Sequence, residues 1–85
     1  MRHSVVSTGC RVAKDVVIED AVIMPNTVIE EGAIIRNAII GEGCTVRSGA
    51  VIGGAFREGD KRQISVVGKN HEITANQVVK PGEVI

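Results

Sequence analysis

The chain has 85 residues, 44% of them hydrophobic, and its ten basic side chains balance ten acidic ones. This length allows one domain. The neutral charge, with no basic run longer than Lys61–Arg62, excludes the footprint of a nucleic-acid or membrane-surface binder. No apolar stretch approaches a membrane span and no charged-then-apolar leader opens the chain, so we expect no membrane partner and a cytoplasmic location.

The composition also favours a repeat, because Phe56 is the only aromatic residue and the core must be filled with small, similar layers. Val or Ile recurs at steps of six, six and five residues, which close a coil of 17 residues. This period predicts a triangular parallel β-helix of four to five coils in which equivalent residues stack. The recurring positions are Val6, Val12, Ile18, Ile23, Ile29, Ile35, Ile40, Val46, Ile52, Val67, Ile73, Val79 and Ile85.

The expected corners support this period independently. Three residues after many of these aliphatics stands a Gly, Asn or Asp, the residue types that adopt a positive φ most easily. The nine predicted corner residues are Gly9, Asp15, Asn26, Gly32, Gly43, Gly49, Asn70, Asn76 and Gly82.

A second inward position lies two residues before each aliphatic. In the first three coils it holds mainly small residues such as Ala21, Ala33 and Cys44. In the last coil it holds polar residues, which are costly inside a closed stack. We therefore expect the C-terminal end of the helix to be open to water at Ser65, His71, Gln77 and Glu83.

Ten extra residues leave the third coil between Ile52 and Val67, as a protruding loop near 54–63. One interpretation is a solvated excursion, since surface loops tolerate insertions. The alternative is an apolar anchor ringed by cations, suited to a protein interface or a small anionic ligand. The residues that favour this alternative are Phe56, Arg57, Lys61 and Arg62.

The outward residues sort by side of the triangle. One apolar stripe consists of Val5, Val22, Ile39, Val66 and Val84. A second consists of Val17, Ile34, Val51 and Val78. The remaining side carries Arg11, Val28, Thr45 and Glu72 and is expected to be solvated. Apolar stripes on a flat sheet usually mark contact surfaces, so we predict that both stripes, together with Phe56, form interfaces.

The sequence offers no catalytic constellation, and we assign no catalytic residue, no metal site and no cofactor to this chain. Two histidines, His3 and His71, are too few for a three-histidine zinc site. Cys10 and Cys44 share one inward position two coils apart, too far for a disulfide, so both should be free thiols. Because residues 3–6 align with the end of a side, we expect the chain to be a single-domain fragment of a longer protein.

Two segments, Ile40–Thr45 and Val46–Val51, resemble the hexapeptide repeat of left-handed parallel β-helix proteins. The left hand of the coil is implied by this resemblance, because parallel crossovers are normally right-handed. The expected fold is thus an all-β, left-handed parallel β-helix.

Longer segments look like the C-terminal domain of glucose-1-phosphate adenylyltransferase: Val22–Ala33, Arg36–Gly43, Ile64–Asn70 and Pro81–Ile85. The resemblance implies a role in subunit assembly and allosteric control of an enzyme of glycogen or starch synthesis. It also implies a separate N-terminal catalytic domain, using ATP and Mg²⁺, that makes ADP-glucose and pyrophosphate from glucose 1-phosphate. A homo- or hetero-oligomer, expected to be a tetramer, and a phosphorylated effector are the implied partners.

One residue carries over from that family. Gly68-Lys69-Asn70 matches an aliphatic-Lys-Asn segment that holds an activator, with Gly68 in place of the bulkier residue. Lys69 is thereby predicted to bind an effector phosphate, with Lys61, Arg62 and Arg57 as helpers. The alternatives are a hexapeptide-repeat acyltransferase and the β-helix domain of another sugar-phosphate nucleotidyltransferase.

Overall fold

The computed structural model describes residues 4–54 and 64–85, and within them the chain winds through twelve short strands. In chain order these are β1 (Val5–Val6), β2 (Arg11–Val12), β3 (Val17–Glu19), β4 (Val22–Ile23), β5 (Val28–Ile29), β6 (Ile34–Arg36), β7 (Ala38–Ile40), β8 (Thr45–Val46), β9 (Val51–Ile52), β10 (Ser65–Val67), β11 (Glu72–Ile73) and β12 (Val78–Val79).

The strands form three parallel sheets of four, because each strand pairs with the strand of the same side in the next coil. Sheet 1 has the order β1-β4-β7-β10, sheet 2 has β2-β5-β8-β11, and sheet 3 has β3-β6-β9-β12. A parallel bridge from Val66 to Val84 begins a fifth coil. The predicted all-β, left-handed parallel β-helix of four to five coils is confirmed.

The register follows the 17-residue period. Val6 is paired with Ile23, and Ile23 with Ile40. After the insertion the chain returns in register, since Val67 pairs with Ile40. The stacking of the sides is therefore in the same register before and after the insertion.

The core is a column of aliphatic layers inside the triangle. Its fully buried large side chains run from Ile18 in the first coil to Val79 in the fourth and are at most 1% exposed. At the ends of the stack, Val12 is 44% exposed and Ile85 is half-buried. The fully buried set is Ile18, Ile23, Ile29, Ile35, Ile40, Val46, Ile52, Val67, Ile73 and Val79.

All nine predicted corner residues have positive φ, between 56° and 80°. Three further residues also have positive φ: Asp20, Asn37 and Gly53. They lie at the corner that ends the five-residue side, where the turn comes one or two residues after the inward aliphatic.

The expected open C-terminal end is correct for three residues and wrong for Ser65. His71 and Glu83 are exposed and Gln77 is half-buried. Ser65 is fully buried, and its hydroxyl is satisfied there, since it donates to Lys80 O at 2.8 Å and accepts from Gly82 N at 3.1 Å. The main chain that leads into the partial fifth coil thus provides hydrogen-bond partners for the Ser65 hydroxyl, which the sequence pattern predicted to be exposed to water.

Both cysteines are free thiols, as predicted. Cys44 is buried and its thiol donates to Gly68 O at 2.9 Å, whereas Cys10 is half-buried and donates to Met24 O at 3.1 Å.

Candidate functional site: the outward faces and the Lys69 corner

Each sheet presents one outward face, which we number after its sheet. Face 1 is the most apolar, and it carries the first predicted stripe, with Val5 59% exposed and Val84 71% exposed. Met24, in the same sheet's next outward position, is 40% exposed. The strands of sheet 1 contain no charged residue. Face 1 therefore offers an uncharged apolar surface to a partner.

Face 3 carries the second predicted stripe but exposes little of it. Val17, Ile34 and Val51 are half-buried, and only Val78, near the C-terminal end, is well exposed, at 62%. The same face bears an ion pair between Arg36 Nε and Glu19 Oε1 at 3.0 Å. The two stripes are thus not equivalent.

Face 2 is polar, as predicted, and an arginine bridges its coils. Arg47 contacts Glu30 Oε2 and Glu72 Oε2, each at 2.9 Å. The hydrogen bond to Glu72, followed by the one to Glu30, raises the pKa of Arg47 above its ordinary value. Because this pKa is raised in the folded state, Arg47 is fully charged across physiological pH and its positive charge stabilises the folded state there.

The insertion is anchored by a buried asparagine at the corner between sheets 3 and 1. Asn37 Nδ2 donates to Gly54 O at 2.6 Å, and Asn37 O accepts from Ser65 N at 3.0 Å. One residue of the preceding coil therefore holds both the departing and the returning ends of the insertion. The predicted residues Phe56, Arg57, Lys61 and Arg62 lie outside the described residues.

Lys69 lies at the next corner, between sheets 1 and 2, in a turn with Asn70. Its side chain is exposed, and no acidic side chain of the described residues forms an ion pair with it. Asn70 N donates to Glu42 O at 2.8 Å, which fixes the turn that presents Lys69. The binding of an effector phosphate by Lys69 stays a prediction.

Lys80 is a further positive charge near the insertion, and it was not among the predicted site residues. Lys80 is exposed, and its neighbour Pro81 lies beside the insertion's first residue, since a Cβ on Gly54 would approach Pro81 Cγ to 2.9 Å. The aliphatic period could have indicated this position, because it stacks Val79 on Ile52 and so places Lys80 one coil beyond Gly53. The hydrogen bond from Gly53 N to Val79 O agrees with that placement.

Metal-ligating clusters and membrane-spanning helices are both absent from the described ranges, 4–54 and 64–85. No group of three or more His, Cys, Asp or Glu residues there has the arrangement of a metal site. No helix in that part of the chain has the length and apolar character needed to cross a membrane. His71 is exposed at the C-terminal end of the stack.

The comparisons with known proteins place the chain in a family. No curated protein and no solved structure matches it significantly. A family model described as GlmU-like, C-terminal hexapeptide matches residues 1–74. The matched range contains the strands from β1 to β11, which agrees with the hexapeptide period and the three parallel sheets. The chain therefore belongs to the GlmU-like, C-terminal hexapeptide family, a nucleotidyltransferase-type hexapeptide repeat.

Proposed function

We propose that this chain is the assembly and regulatory domain of a glucose-1-phosphate adenylyltransferase subunit. In that role it acts beside an N-terminal catalytic domain that holds ATP and Mg²⁺ and converts glucose 1-phosphate into ADP-glucose and pyrophosphate in the cytoplasm. The observation that carries the proposal is the family match over residues 1–74. It is supported by the sequence similarity of Val22–Ala33 and Ile64–Asn70 to the adenylyltransferase family.

The assembly role is supported by the uncharged face 1. Soluble monomers rarely expose a continuous apolar patch of this kind, and such patches usually mark binding surfaces. The polar face 2, with its ion pairs through Arg47, provides the contrast within the same molecule. Association through an outward face leaves the coil interior, and hence the fold, unchanged.

The assembly role is tested by charging face 1. Val22→Lys with Ile39→Lys places two ammonium groups on outward positions of adjacent coils, and we expect the mass measured by sedimentation to fall towards that of the monomer. The matched control is Val28→Lys with Thr45→Lys, which occupies the same coils and outward positions on face 2. An unchanged mass for the face 1 variant, with its circular dichroism intact, would exclude face 1 as the contact.

The regulatory role is assigned to Lys69. An exposed ammonium group on a fixed turn can donate charged hydrogen bonds to the phosphate of an effector. In the longer protein, Lys69→Glu should weaken activation by a sugar phosphate or phosphoglycerate by about 1.5–3 kcal/mol, the range for a charged hydrogen bond. Basal activity should persist, because the catalytic groups lie in the other domain.

The matched control for Lys69 is Lys14→Glu. Lys14 is also exposed and also precedes a positive-φ corner residue, Asp15, but it belongs to the first coil and to a different corner. The half-saturating effector concentration should rise for the Lys69 variant and stay constant for the Lys14 variant. Equal values for both variants would eliminate Lys69 as a ligand, and absence of ADP-glucose formation by the unmodified protein would refute the adenylyltransferase assignment.

A further inference from the structure

Two side chains lie at the C-terminal edge of the coil stack and bond to its main chain. In the described part of the chain, β11 and β12 are the last strands of sheets 2 and 3. We propose that Gln77 and Glu83 cap these two strands by accepting the main-chain hydrogen bonds that a further coil would accept. The cap prevents the stack from adding a strand of another chain at this edge. It does not depend on the assembly role proposed above.

In the earlier coils, the main-chain N–H that follows an inward aliphatic of sheet 2 donates to the next coil. Glu30 N donates to Val46 O at 2.8 Å, and Arg47 N donates to Ile73 O at 2.9 Å. Thr74 occupies the same position one coil later, because it follows Ile73, which pairs with Val46. A buried or edge N–H that loses such a partner needs another acceptor.

At Thr74 the acceptor is a side chain. The main-chain N–H and the hydroxyl of Thr74 both donate to Gln77 Oε1, each at 2.9 Å. The equivalents of Gln77 in the two preceding coils are Ala33 and Ala50, whose side chains have no acceptor. The turn is the same in these coils, because the later residue also donates its N–H to the earlier carbonyl, at 3.1 Å in the last coil and 3.3 Å in the one before. Gln77 therefore takes the place of the next coil's carbonyl without altering the corner.

Sheet 3 ends in the same way at Lys80. In the preceding coil, Gly53 N donates to Val79 O at 2.8 Å. Lys80 follows Val79 and has the equivalent position, but its N–H donates to Glu83 Oε1 at 2.9 Å. The inward positions that correspond to Glu83 in the earlier coils hold small residues: Ala21, Ala38 and Ser65. Both capped strands thus carry an acceptor side chain only where the next coil's main chain is not available.

The length of the last side supports this interpretation. The third side takes a step of five residues from 18 to 23 and from 35 to 40, but a step of six from 79 to 85. The additional residue puts Glu83 three positions after Lys80, the same separation as that of Gln77 from Thr74. A positive-φ residue precedes each acceptor: Asn76 and Gly82. Two corners that differ in the earlier coils therefore have one geometry in the last coil, and this geometry brings the side-chain oxygen to the edge N–H.

The cap is significant because an unpaired strand edge is a template for strand addition. The opposite end of the stack is also a set of sheet edges, formed by β1, β2 and β3. If the first coil of one copy paired with the last coil of another, the contact would be head-to-tail and would extend into an open column. Such growth needs both edges, so a cap at one end is sufficient to prevent it.

Hydrogen exchange of the unmodified chain tests the capping bonds. Glu72 and Val78 provide the reference, because their equivalents one coil earlier donate to the next coil. Within residues 4–54 and 64–85, neither of the two has a side-chain acceptor for its N–H. The amides of Thr74 and Lys80 should have protection factors about tenfold higher than this reference, as expected for one hydrogen bond to an amide or carboxylate oxygen.

Removal of both acceptors tests the protection of the edge. The variants are built on Val22→Lys with Ile39→Lys, so that association through face 1 does not mask association through the edge. On this background, Gln77→Ala with Glu83→Ala should lower the protection of the capped amides to that of the reference. Its mass in sedimentation velocity should increase with concentration. The matched control, Gln77→Glu with Glu83→Gln, keeps an acceptor oxygen at both positions and should retain the protection and the mass of its parent.

Two results would overturn the proposal. Equal protection of the capped and the reference amides in the unmodified chain would mean that Gln77 and Glu83 do not cap the edge, and this measurement needs no substitution. Lost protection in the alanine variant without an increase in mass, when circular dichroism indicates an intact fold, would mean that the capping bonds do not prevent strand addition. Both results are independent of the assembly role of face 1, because the parent variant already carries lysines on that face.

Discussion

Gly49 and Asn76 occupy one corner in successive coils, between sheets 2 and 3, and both have positive φ. The Asn76 side chain lies against Gly49, so that a Cβ built on Gly49 would collide with Asn76 Oδ1. The corner requires a positive φ at both positions, and the side chain of one coil also requires a glycine in the preceding coil. The same relation joins Gly9 to Asn26 and Gly43 to Asn70.

Substitution at this corner separates backbone strain from steric contact. Gly32→Ala should cost about 1–2 kcal/mol from positive φ alone, because its Cβ would meet only Gly49 N at 3.9 Å. Gly49→Ala should cost at least about 1 kcal/mol more, since the Asn76 side chain must move. Urea unfolding of both variants measures the difference. Asn76→Gly should remove the excess in Gly49→Ala, and equal costs without this rescue would contradict the contact.

The corners also show what the sequence predicts at the level of single residues. The nine positions at the six-residue sides were predictable, because Gly, Asn and Asp recur there at a fixed offset. Asp20, Asn37 and Gly53 were missed because the five-residue side turns at a different offset. The anchoring role of Asn37 was therefore also missed, because its side-chain amide reaches Gly54 O and its main-chain carbonyl reaches Ser65 N only from this turn.

At the scale of elements, Ser65 joins β10 to the partial fifth coil. Ser65→Ala removes the hydrogen bonds to Lys80 O and from Gly82 N and fits sterically, since Ala21 and Ala38 hold the same position in earlier coils. We expect a loss of about 1–2 kcal/mol in the free energy of unfolding and faster hydrogen exchange at the Gly82 amide.

The control for Ser65 is Ser48→Ala, at an exposed position. It should change stability by less than about 0.5 kcal/mol. Unchanged exchange at Gly82 in Ser65→Ala would contradict the proposed link between β10 and the last coil.

The strand register was predictable, including the return of β10 beside β7 after the insertion, because the aliphatic period resumes there. The burial of Ser65 was not predictable from residue size and polarity. It depends on two main-chain groups that the next coil brings within hydrogen-bond distance, and the pattern of inward positions does not describe main-chain partners.

At the scale of the whole molecule, three sheets built from one repeat present three different surfaces. The sequence predicted the polar face 2 and two apolar stripes, but it did not separate faces 1 and 3. That separation depends on exposure in the folded coil, where Val22 and Ile39 of face 1 are exposed while Ile34 and Val51 of face 3 are half-buried, as is Val66 of face 1. It also depends on the Glu19–Arg36 ion pair of face 3. The strands of sheet 1, which form face 1, contain no charged residue.

Sedimentation equilibrium of the unmodified chain over about 1–200 µM tests the assembly account most directly, because this range brackets a micromolar Kd. The account predicts a mass that rises above the 9.0 kDa of one chain as the concentration increases. The Val22→Lys with Ile39→Lys variant should stay near the lower mass throughout. A mass of 9.0 kDa for the unmodified chain at every concentration would contradict the account.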